Sequence, residues 1–324
     1  MSISRFFSFV LAFVIALPAV SPANAPLDSV YQMLVNGEAD AAIRVLKTSL
    51  SSNPSGAAEH NLLCRVHYAE ERWDAAVGEC ERAANLNPAS SLNQLWLGRA
   101  YGEKADHSSW FAAISLAKKT RIAFEKAVEL DPRNIEARSD LSEYYIEAPG
   151  FLGGGTDKAA AQANAVEKLE PATAYWIRAR IAEHYKRNND AEKQYRLALQ
   201  ADPEPRRIFD LASFYRRVNR LDDLEAAVHQ SAKLNIKNDS ALFDSASLLL
   251  RVNRNLPLAA SLLQRYIDQG EKSEDAPLFQ AHYLMGQVLE KSGDTTGAKK
   301  AYQAARASAS DFAPASAALK RLGA

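Results

Sequence analysis

The sequence predicts an all-α protein built from repeated helical hairpins, and three observations indicate this. The chain has 324 residues, more than one compact core usually holds, so two domains or one elongated array is expected. Alanine is abundant and runs of β-branched residues are rare, which favours helix throughout. Five prolines that follow Asn, Asp or Glu stand at positions 54, 88, 132, 171 and 203, which are 34, 44, 39 and 32 residues apart. This spacing predicts a repeat.

Residues 1–25 predict a secretory signal peptide. Arg5 gives a positively charged start, and residues 6–20 are apolar apart from one Ser and one Pro. The segment Ala23-Asn24-Ala25 then offers a cleavage site with small residues in the required places. We therefore expect export to the periplasm.

The exact processing of this segment has more than one possible outcome at the sequence level. Pro26 disfavours cleavage directly after Ala25, so cleavage after Ala23 and retention of the segment as an uncleaved anchor are both alternatives. No later stretch is long and apolar enough to span a bilayer. We expect residues 26–324 to form one array with no membrane span after signal removal.

Each of the five prolines is expected to stop a helix between two hairpins. Proline cannot continue a helix, and it disfavours helical geometry in the residue before it. The predicted stops are Asn53-Pro54, Asn87-Pro88, Asp131-Pro132, Glu170-Pro171 and Asp202-Pro203.

A recurring pattern of small and large residues gives the repeat its character. The third unit contains Leu97-Gly98-Arg99-Ala100-Tyr101 and later Phe124, Ala127 and Pro132. This arrangement resembles the tetratricopeptide repeat, in which Leu-Gly-x-x-Tyr is followed by Ala, an aromatic residue, Ala and Pro. The resemblance implies a right-handed superhelical solenoid in which the first helix of each hairpin lines a concave face.

The pattern predicts eight hairpins and a final amphipathic helix. The final helix, near residues 314–322, is expected to cap the open end of the array with Lys320 and Arg321 facing outward. The hairpins are expected to start near Leu27, Ala57, Ser91, Ile135, Thr173, Arg206, Ser240 and Leu278.

Two units are longer than the repeat, and both insertions fall between the two helices of a hairpin. In the third unit the second helix is expected to be lengthened at its start, with Ser108 or Ser109 as its N-cap. The fourth unit contains a Gly-rich loop. Because all such turns lie along one edge of a solenoid, the two insertions should form a common edge. Its residues are Trp110, Phe111, Lys118, Arg121, Phe151, Gly153, Gly154 and Gly155.

The Gly-rich loop has two possible roles. Its backbone N–H groups, together with Lys118 or Arg121, would suit a small anion. Alternatively the glycines serve left-handed backbone geometry, with Thr156 as an N-cap, Asp157 in the first turn and Phe151 tucked under the lengthened helix against Trp110 or Phe111. The P-loop pattern is not met, because no Gly-Lys-Ser/Thr follows. The chain thus resembles exported bacterial tetratricopeptide proteins with a lengthened third repeat and this loop in the fourth.

The concave face is expected to carry the binding site. Aromatic and Arg side chains recur there, and both types are enriched at binding hot spots. An Arg guanidinium also grips a peptide carboxylate through two hydrogen bonds. The alternative is that these arginines only pair with Glu143 and Glu147 and keep the array soluble. The predicted groove residues are Arg65, Tyr68, Arg99, Glu143, Trp176, Arg180, Arg216, Arg217 and Arg251.

Cys64 and Cys80 are the only cysteines, and they fall at facing positions of one hairpin. In an exported protein they are expected either to form a disulfide or to remain as small buried residues. Two cysteines without a Cys-x-x-Cys pair are too few for a structural zinc site.

The remaining composition argues against several functions. The chain has 39 basic and 39 acidic residues, so no overall field attracts nucleic acid. The six histidines show no His-x-x-x-His spacing, and no Gly-x-Ser-x-Gly elbow occurs. We therefore expect no cofactor, no metal and no catalytic residues. The prediction is a periplasmic scaffold that binds a protein or peptide in the concave groove, with a small anionic ligand at the insertion edge as the alternative.

Overall fold

The structure, a computed structural model, describes residues 25–234, 240–269 and 272–323. Most of the signal peptide predicted for residues 1–25 therefore lies outside the described residues. Within the described ranges the chain forms seventeen α-helices and one 3-10 turn, Gly150–Leu152, and no strand. The helices are α1 (Ala25–Val35), α2 (Ala39–Ser52), α3 (Ala57–Ala69), α4 (Trp73–Leu86), α5 (Ser91–Asp106), α6 (Trp110–Leu130), α7 (Ile135–Glu147), α8 (Thr156–Val166), α9 (Pro171–His184), α10 (Asn188–Ala201), α11 (Pro205–Arg217), α12 (Leu221–Ala232), α13 (Ala241–Val252), α14 (Leu256–Asp268), α15 (Leu278–Lys291), α16 (Thr295–Ser308) and α17 (Ala313–Arg321).

Helices α1 to α16 pair in sequence into antiparallel hairpins, which we number one to eight. Three-residue turns join the two helices of each hairpin except the fourth, where residues 148–155 intervene. Several of these turns contain a residue with positive φ, such as Gly37 at 77°, Asn219 at 59° and Gly293 at 89°. A left-handed residue lets the backbone leave one helix and begin the next within a few residues. The fold is a superhelical array of helical hairpins.

Proline and its preceding residue end helices as the sequence indicates, with one exception. Four of the predicted stops cap the end of a second helix, at Asn53, Asn87, Asp131 and Asp202. At the fifth, α8 already ends at Val166, and Pro171 becomes the first residue of α9. Proline suits that place because the first turn of a helix needs no N–H from it.

Small residues allow the two helices of a hairpin to approach closely. A Cβ at Gly98 would lie 2.4 Å from the ring of Phe124, and one at Gly286 would lie 2.4 Å from the ring of Tyr302. Both rings are buried in the interior of the array. The Leu-Gly-x-x-Tyr pattern is therefore a packing pattern, in which glycine makes room for an aromatic ring of the partner helix.

Helix α6 is the longest in the described chain, with 21 residues, whereas the second helices of the other hairpins have 11 to 14. Its start projects past its neighbours and leaves Trp110 68% and Phe111 81% exposed. Phe151 is 69% exposed, so the expectation that it tucks under α6 is wrong. The side chain of Arg121 packs beside Gly153 and fills the space between the loop and α6.

Helix α17 covers the last hairpin, with Leu319 against Tyr302 of α16 and with Lys320 and Arg321 exposed, but this end of the array also meets the first hairpin. Phe312, directly before α17, and Ala315 within it share an apolar cluster with Val30 and Leu34 of α1. The first hairpin also approaches the last one closely, because a Cβ at Gly37 would lie 2.7 Å from the backbone nitrogen of Phe279. The two ends of the array therefore pack against each other.

Polar contacts reinforce this junction, which we call the seam. The Asp40 carboxylate accepts hydrogen bonds from the backbone N–H and the hydroxyl of Ser310, at 3.1 and 3.0 Å. The Gln280 amide donates to the carbonyl oxygen of Ala69 at 2.7 Å. Arg72 forms an ion pair with Asp311 at 2.5 Å. The apolar cluster and these contacts join the first two hairpins to the last hairpin and α17, which closes the array.

Candidate functional site

The first helices of the hairpins form the concave face, and three cavities lie along them in the part of the chain that the structure describes. The first cavity, of about 420 Å³, lies among α1, α3 and α5. The second, of about 500 Å³, lies among α3, α5, α6 and α7. The third, of about 290 Å³, lies along α7, α9, α11 and α13.

Every residue predicted for the groove lines one of these cavities. Arg65 lines the first cavity, and Tyr68 and Arg99 line the second. Glu143 stands between the second and third cavities and lines both. The remaining predicted residues line the third cavity: Trp176, Arg180, Arg216, Arg217 and Arg251.

Most of the groove arginines are already paired with carboxylates of the array itself. Arg99 of α5 donates through Nε to Asp140 of α7 at 2.6 Å. Arg180 of α9 donates to Glu143 at 3.0 Å and to Glu147 at 2.8 Å, both on α7. These pairs join the first helices of neighbouring hairpins. Two roles were expected for the groove arginines, ligand binding or pairing with Glu143 and Glu147. Arg180 forms the pairs with Glu143 and Glu147.

Glu183 of α9 extends these ion pairs between neighbouring first helices to α11. Arg217 donates to it through Nη2 at 3.0 Å, and Arg180 approaches it to 3.1 Å. Burial alone would raise the pKa of the Glu183 carboxyl, but hydrogen bonding from Arg217 and the two positive charges lower it below its ordinary value. Glu183 thus stays ionised and holds α9 to α11.

Arg216 and Arg251 differ from the other arginines of the concave face. Among the described residues, neither forms an ion pair, and the buried Nε of Arg216 has no hydrogen-bond partner. Burial and the positive charges of Arg251 and Arg217 lower the pKa of Arg216. Trp176 and Phe209 line the same third cavity. This part of the face therefore combines two arginines without ion-pair partners with aromatic surface. Such a surface suits a ligand that has a carboxylate next to an apolar group.

The second cavity is lined by more acidic side chains than basic ones. Glu103 lines it together with Asp140 and Glu143, and the Tyr68 hydroxyl donates to Glu103 at 3.3 Å. Burial, reinforced by the charge of Asp106, raises the pKa of the Glu103 carboxyl. Acidic side chains therefore predominate in the second cavity, whereas the third is lined by four arginines and by the acidic residues Glu143, Asp210 and Asp244.

Arg65, in the first cavity, is paired with a residue far away in the chain. Its guanidinium contacts the carboxylate of Glu274, which lies in the connection between α14 and α15. This carboxylate and the rings of Tyr31 and Trp96 around Arg65 were not identified from the sequence. The acidic pair Glu274-Asp275 in the connection before the last hairpin is the signal that indicates them.

The N–H groups of the three consecutive glycines in the Gly-rich loop are all hydrogen-bonded within the protein. The N–H groups of Gly153, Gly154 and Gly155 all donate to backbone carbonyl oxygens, at 2.9, 3.3 and 2.8 Å. A Cβ at Gly154 would lie 1.7 Å from the carbonyl oxygen of Ala148. Lys158 donates to the carbonyl oxygen of Gly153 at 2.7 Å. The glycines thus serve a tight turn, and their N–H groups are not available to an anion.

The other residues predicted for the insertion edge do not converge on a ligand. Arg121 is paired with Glu125 at 2.9 Å, and Lys118 is exposed on α6. The N-cap of α8 is Gly155, so the prediction of Thr156 as the cap is wrong; Thr156 is the first helical residue and its hydroxyl bonds to that of Tyr185 at 2.7 Å. Ser109 is the N-cap of α6, without a side-chain hydrogen bond.

Cys64 of α3 and Cys80 of α4 form a disulfide, with their Cα atoms 5.2 Å apart. Both residues are fully buried within the second hairpin. Covalent linkage here fixes α3 against α4, directly beside Arg65.

In residues 25–234, 240–269 and 272–323, no group of three or more His, Cys, Asp or Glu side chains has the arrangement needed for a metal ion. None of the helices there has the length and apolar character needed to cross a membrane.

The described chain is an all-α repeat protein with cavities along the first helices of its hairpins. Tetratricopeptide repeat profiles match residues 34–91 and 279–305. These two segments are therefore tetratricopeptide repeats. The repeat accounts for the hairpins and for the packing of small residues against large ones.

Several solved structures, including those of two tetratricopeptide repeat proteins, are similar to this chain. A thermophilic tetratricopeptide repeat protein of Thermus thermophilus is 22% identical, with a TM-score of 0.47 over 58% of this chain and 96% of that one. A tetratricopeptide repeat protein of Parabacteroides merdae is 11% identical, with a TM-score of 0.46 over 92% and 98%. Yeast Tom70 is 12% identical, with a TM-score of 0.48 over 92% and 80%. No curated protein matches the chain.

Proposed function

We propose that this protein is a scaffold that binds an extended peptide segment of a partner protein along its concave face. The tetratricopeptide fold supports a role in protein–protein interaction, because its hairpins form a long surface rather than a closed active site. We further propose that the partner places a carboxylate, from an acidic side chain or a free C-terminus, in the third cavity.

The pair Arg216 and Arg251 is the observation that carries this proposal. Arg99, Arg180 and Arg217 already neutralise carboxylates of neighbouring helices, so a partner gains little from them. Arg216 has a buried Nε without a hydrogen-bond partner in the described chain. An incoming carboxylate would supply that partner and relieve the repulsion between the two arginines. Trp176 and Phe209 offer apolar surface to the neighbouring peptide residues.

Selection from a phage library of random seven-residue peptides tests this proposal. Peptides enriched on the wild-type protein should share an acidic residue next to an aromatic or aliphatic one. Their affinity, measured by fluorescence polarisation, should fall at least about tenfold in the double variant Arg216→Ala/Arg251→Ala, because a charge-assisted hydrogen bond contributes about 1.5–3 kcal/mol.

The matched control removes the same charge elsewhere. Arg133→Ala/Arg306→Ala also deletes two exposed arginines, but neither of them lines the third cavity. This variant should keep the wild-type affinity. The proposal is wrong if both double variants bind equally well, or if no peptide is enriched.

We also propose that the protein acts after export, as the signal-like residues 1–25 suggest. Cell fractionation with the intact mass of the mature chain tests this. A mass that lacks residues 1–23 or 1–25 would support export with cleavage, and a cytoplasmic, full-length chain would contradict it.

A small anion at the Gly-rich loop is not favoured, because the three glycine N–H groups are already hydrogen-bonded.

A further inference from the structure

Residues 272–277, in the connection between α14 and α15, lie at the concave face, far along the chain from the helices that they touch. Glu274 in this connection accepts a hydrogen bond from Nε of Arg65 at 2.9 Å, and Nη2 of Arg65 contacts the same carboxylate oxygen. The neighbouring acid, Asp275, is exposed. An acidic segment of the chain itself therefore occupies an arginine of the predicted peptide-binding face.

Arg65 is held in a fixed position by two aromatic rings. Its guanidinium carbon lies 5.1 Å from the ring centroid of Tyr31 and 5.1 Å from that of Trp96. Cation–π contacts of this kind restrict a guanidinium while leaving its N–H groups free to donate. The Arg65 side chain is only 11% exposed. Arg65 therefore presents its donors in one direction, and Glu274 lies in that direction.

Unfilled space adjoins this contact. The first cavity, of about 420 Å³, is lined by Arg65 and Tyr31 and by the apolar side chains of Leu27 and Leu62. Asn61, which is 3% exposed, also lines it, and its amide nitrogen has no hydrogen-bond partner in the described chain. A ligand larger than one carboxylate would find apolar surface and a further donor beside Arg65.

We infer that the first cavity is a second peptide-binding site, whose carboxylate position is filled by Glu274 in the free protein. This inference rests on the proposed function, because it assumes that the concave face takes acidic peptide segments. The ligand class is an extended segment with an acidic residue beside an aliphatic one. Its carboxylate replaces Glu274 on Arg65, and its aliphatic neighbour enters the cavity.

The internal contact is suited to displacement. Burial raises the pKa of the Glu274 carboxyl, in spite of the opposing charge of Arg65, so ionised Glu274 is held there at a desolvation cost. The connection contributes one carboxylate to Arg65, whereas a peptide would add burial in the first cavity. A tethered competitor weakens the binding of a free ligand, because only the fraction of protein molecules in which the competitor has left the site can bind that ligand.

The experiment compares peptide selection on the wild-type protein and on Glu274→Gln, with the same random seven-residue library. The substitution keeps the size of the side chain and removes its charge. Peptides selected on Glu274→Gln should bind that variant at least about tenfold more tightly than the wild type. Adding Arg65→Gln to Glu274→Gln should abolish this gain.

Asp275→Asn is the matched control, since it removes the same charge from the adjacent exposed residue and should leave the affinity at the wild-type value. Thermal melting of each variant shows whether it is folded. If peptides are enriched whose binding depends on Arg216 and Arg251 but never on Arg65, the inference is wrong and the proposed function stands. If neither protein enriches any peptide, both are wrong. If Glu274→Gln and Asp275→Asn behave alike, the effect is one of general charge and the inference is also wrong.

Discussion

Arginines of one concave face have different roles, according to what their guanidinium groups touch. Arg180 joins Glu143, Glu147 and Glu183, and its side chain is largely buried. Arg251 also lines the third cavity but has no ion pair among the described residues. The first arginine stabilises the array, whereas the second is available to a partner.

The two roles predict different effects on stability. Arg180→Met should lower the free energy of unfolding by about 2 kcal/mol, because it leaves three neighbouring carboxylates without their shared cation. Arg251→Met should change it by less than about 0.5 kcal/mol, as expected for a residue without such contacts. Urea denaturation of both variants measures the difference. Equal losses would show that pairing does not distinguish these arginines.

The positions of the groove residues could be predicted at this scale, but their partners could not. A repeat frame assigns each side chain to a face, so Arg65, Arg99 and Arg180 were correctly assigned to the first helices. Which carboxylate each arginine meets depends on contacts across hairpins, and for Arg65 the partner Glu274 is 209 residues away in the sequence. Hydrophobic period and residue type contain no information on such distant pairs.

The two helices of a hairpin approach closely where glycine on one helix faces an aromatic ring of the other. Gly98 of α5 and Gly286 of α15 both have this role. Gly78 lies within α4, but a Cβ there would meet nothing within 4 Å. The same residue type therefore has opposite effects on stability in the two settings.

Alanine substitution tests this contrast. Gly98→Ala should destabilise the protein by about 1–3 kcal/mol, since the new Cβ would overlap the ring of Phe124. Gly78→Ala should stabilise it by about 0.5–1 kcal/mol, because alanine is the better helix former. Chemical denaturation gives both values. A stabilised Gly98→Ala variant would contradict the assigned packing.

Helix starts and stops were well predicted, whereas the loop conformation was not. The four stops at Asn53, Asn87, Asp131 and Asp202 act through proline geometry, which is local and therefore readable from sequence. Phe151 is exposed, and the side chain of Arg121 from α6 fills the space beside Gly153 instead. Turn residues indicate that a loop occurs but not what fills the space beneath it.

For the whole molecule, closure of the array is the feature that the sequence did not indicate. Repeats predict contacts between neighbouring hairpins, but the seam joins residues such as Asp40 and Ser310, which are 270 positions apart. Closure brings the connection that contains Glu274 onto the first three hairpins. The seam and the Arg65–Glu274 contact beside the first cavity are therefore parts of one arrangement.

Distance measurement between spin labels tests the closure. Labels at Lys47 on α2 and Lys300 on α16 should give one short, narrow distance distribution in the wild type. Asp40→Ala/Arg72→Ala, which removes two polar contacts of the seam, should broaden it towards longer distances. Labels at Lys47 and Arg82, on neighbouring hairpins, should be unaffected. A long and broad distribution in the wild type would mean that the ends are not joined.

The most direct test of peptide binding on the concave face is site-specific photo-crosslinking in cells. A photoreactive amino acid is placed at Ser247 in the third cavity, at Phe111 on the insertion edge, or at Gln200 on the outer helix α10. We predict that a partner protein is captured at Ser247, and that the additional substitutions Arg216→Glu and Arg251→Glu abolish its capture. Capture at Phe111 alone, unchanged by these substitutions, would contradict the account and assign binding to the edge.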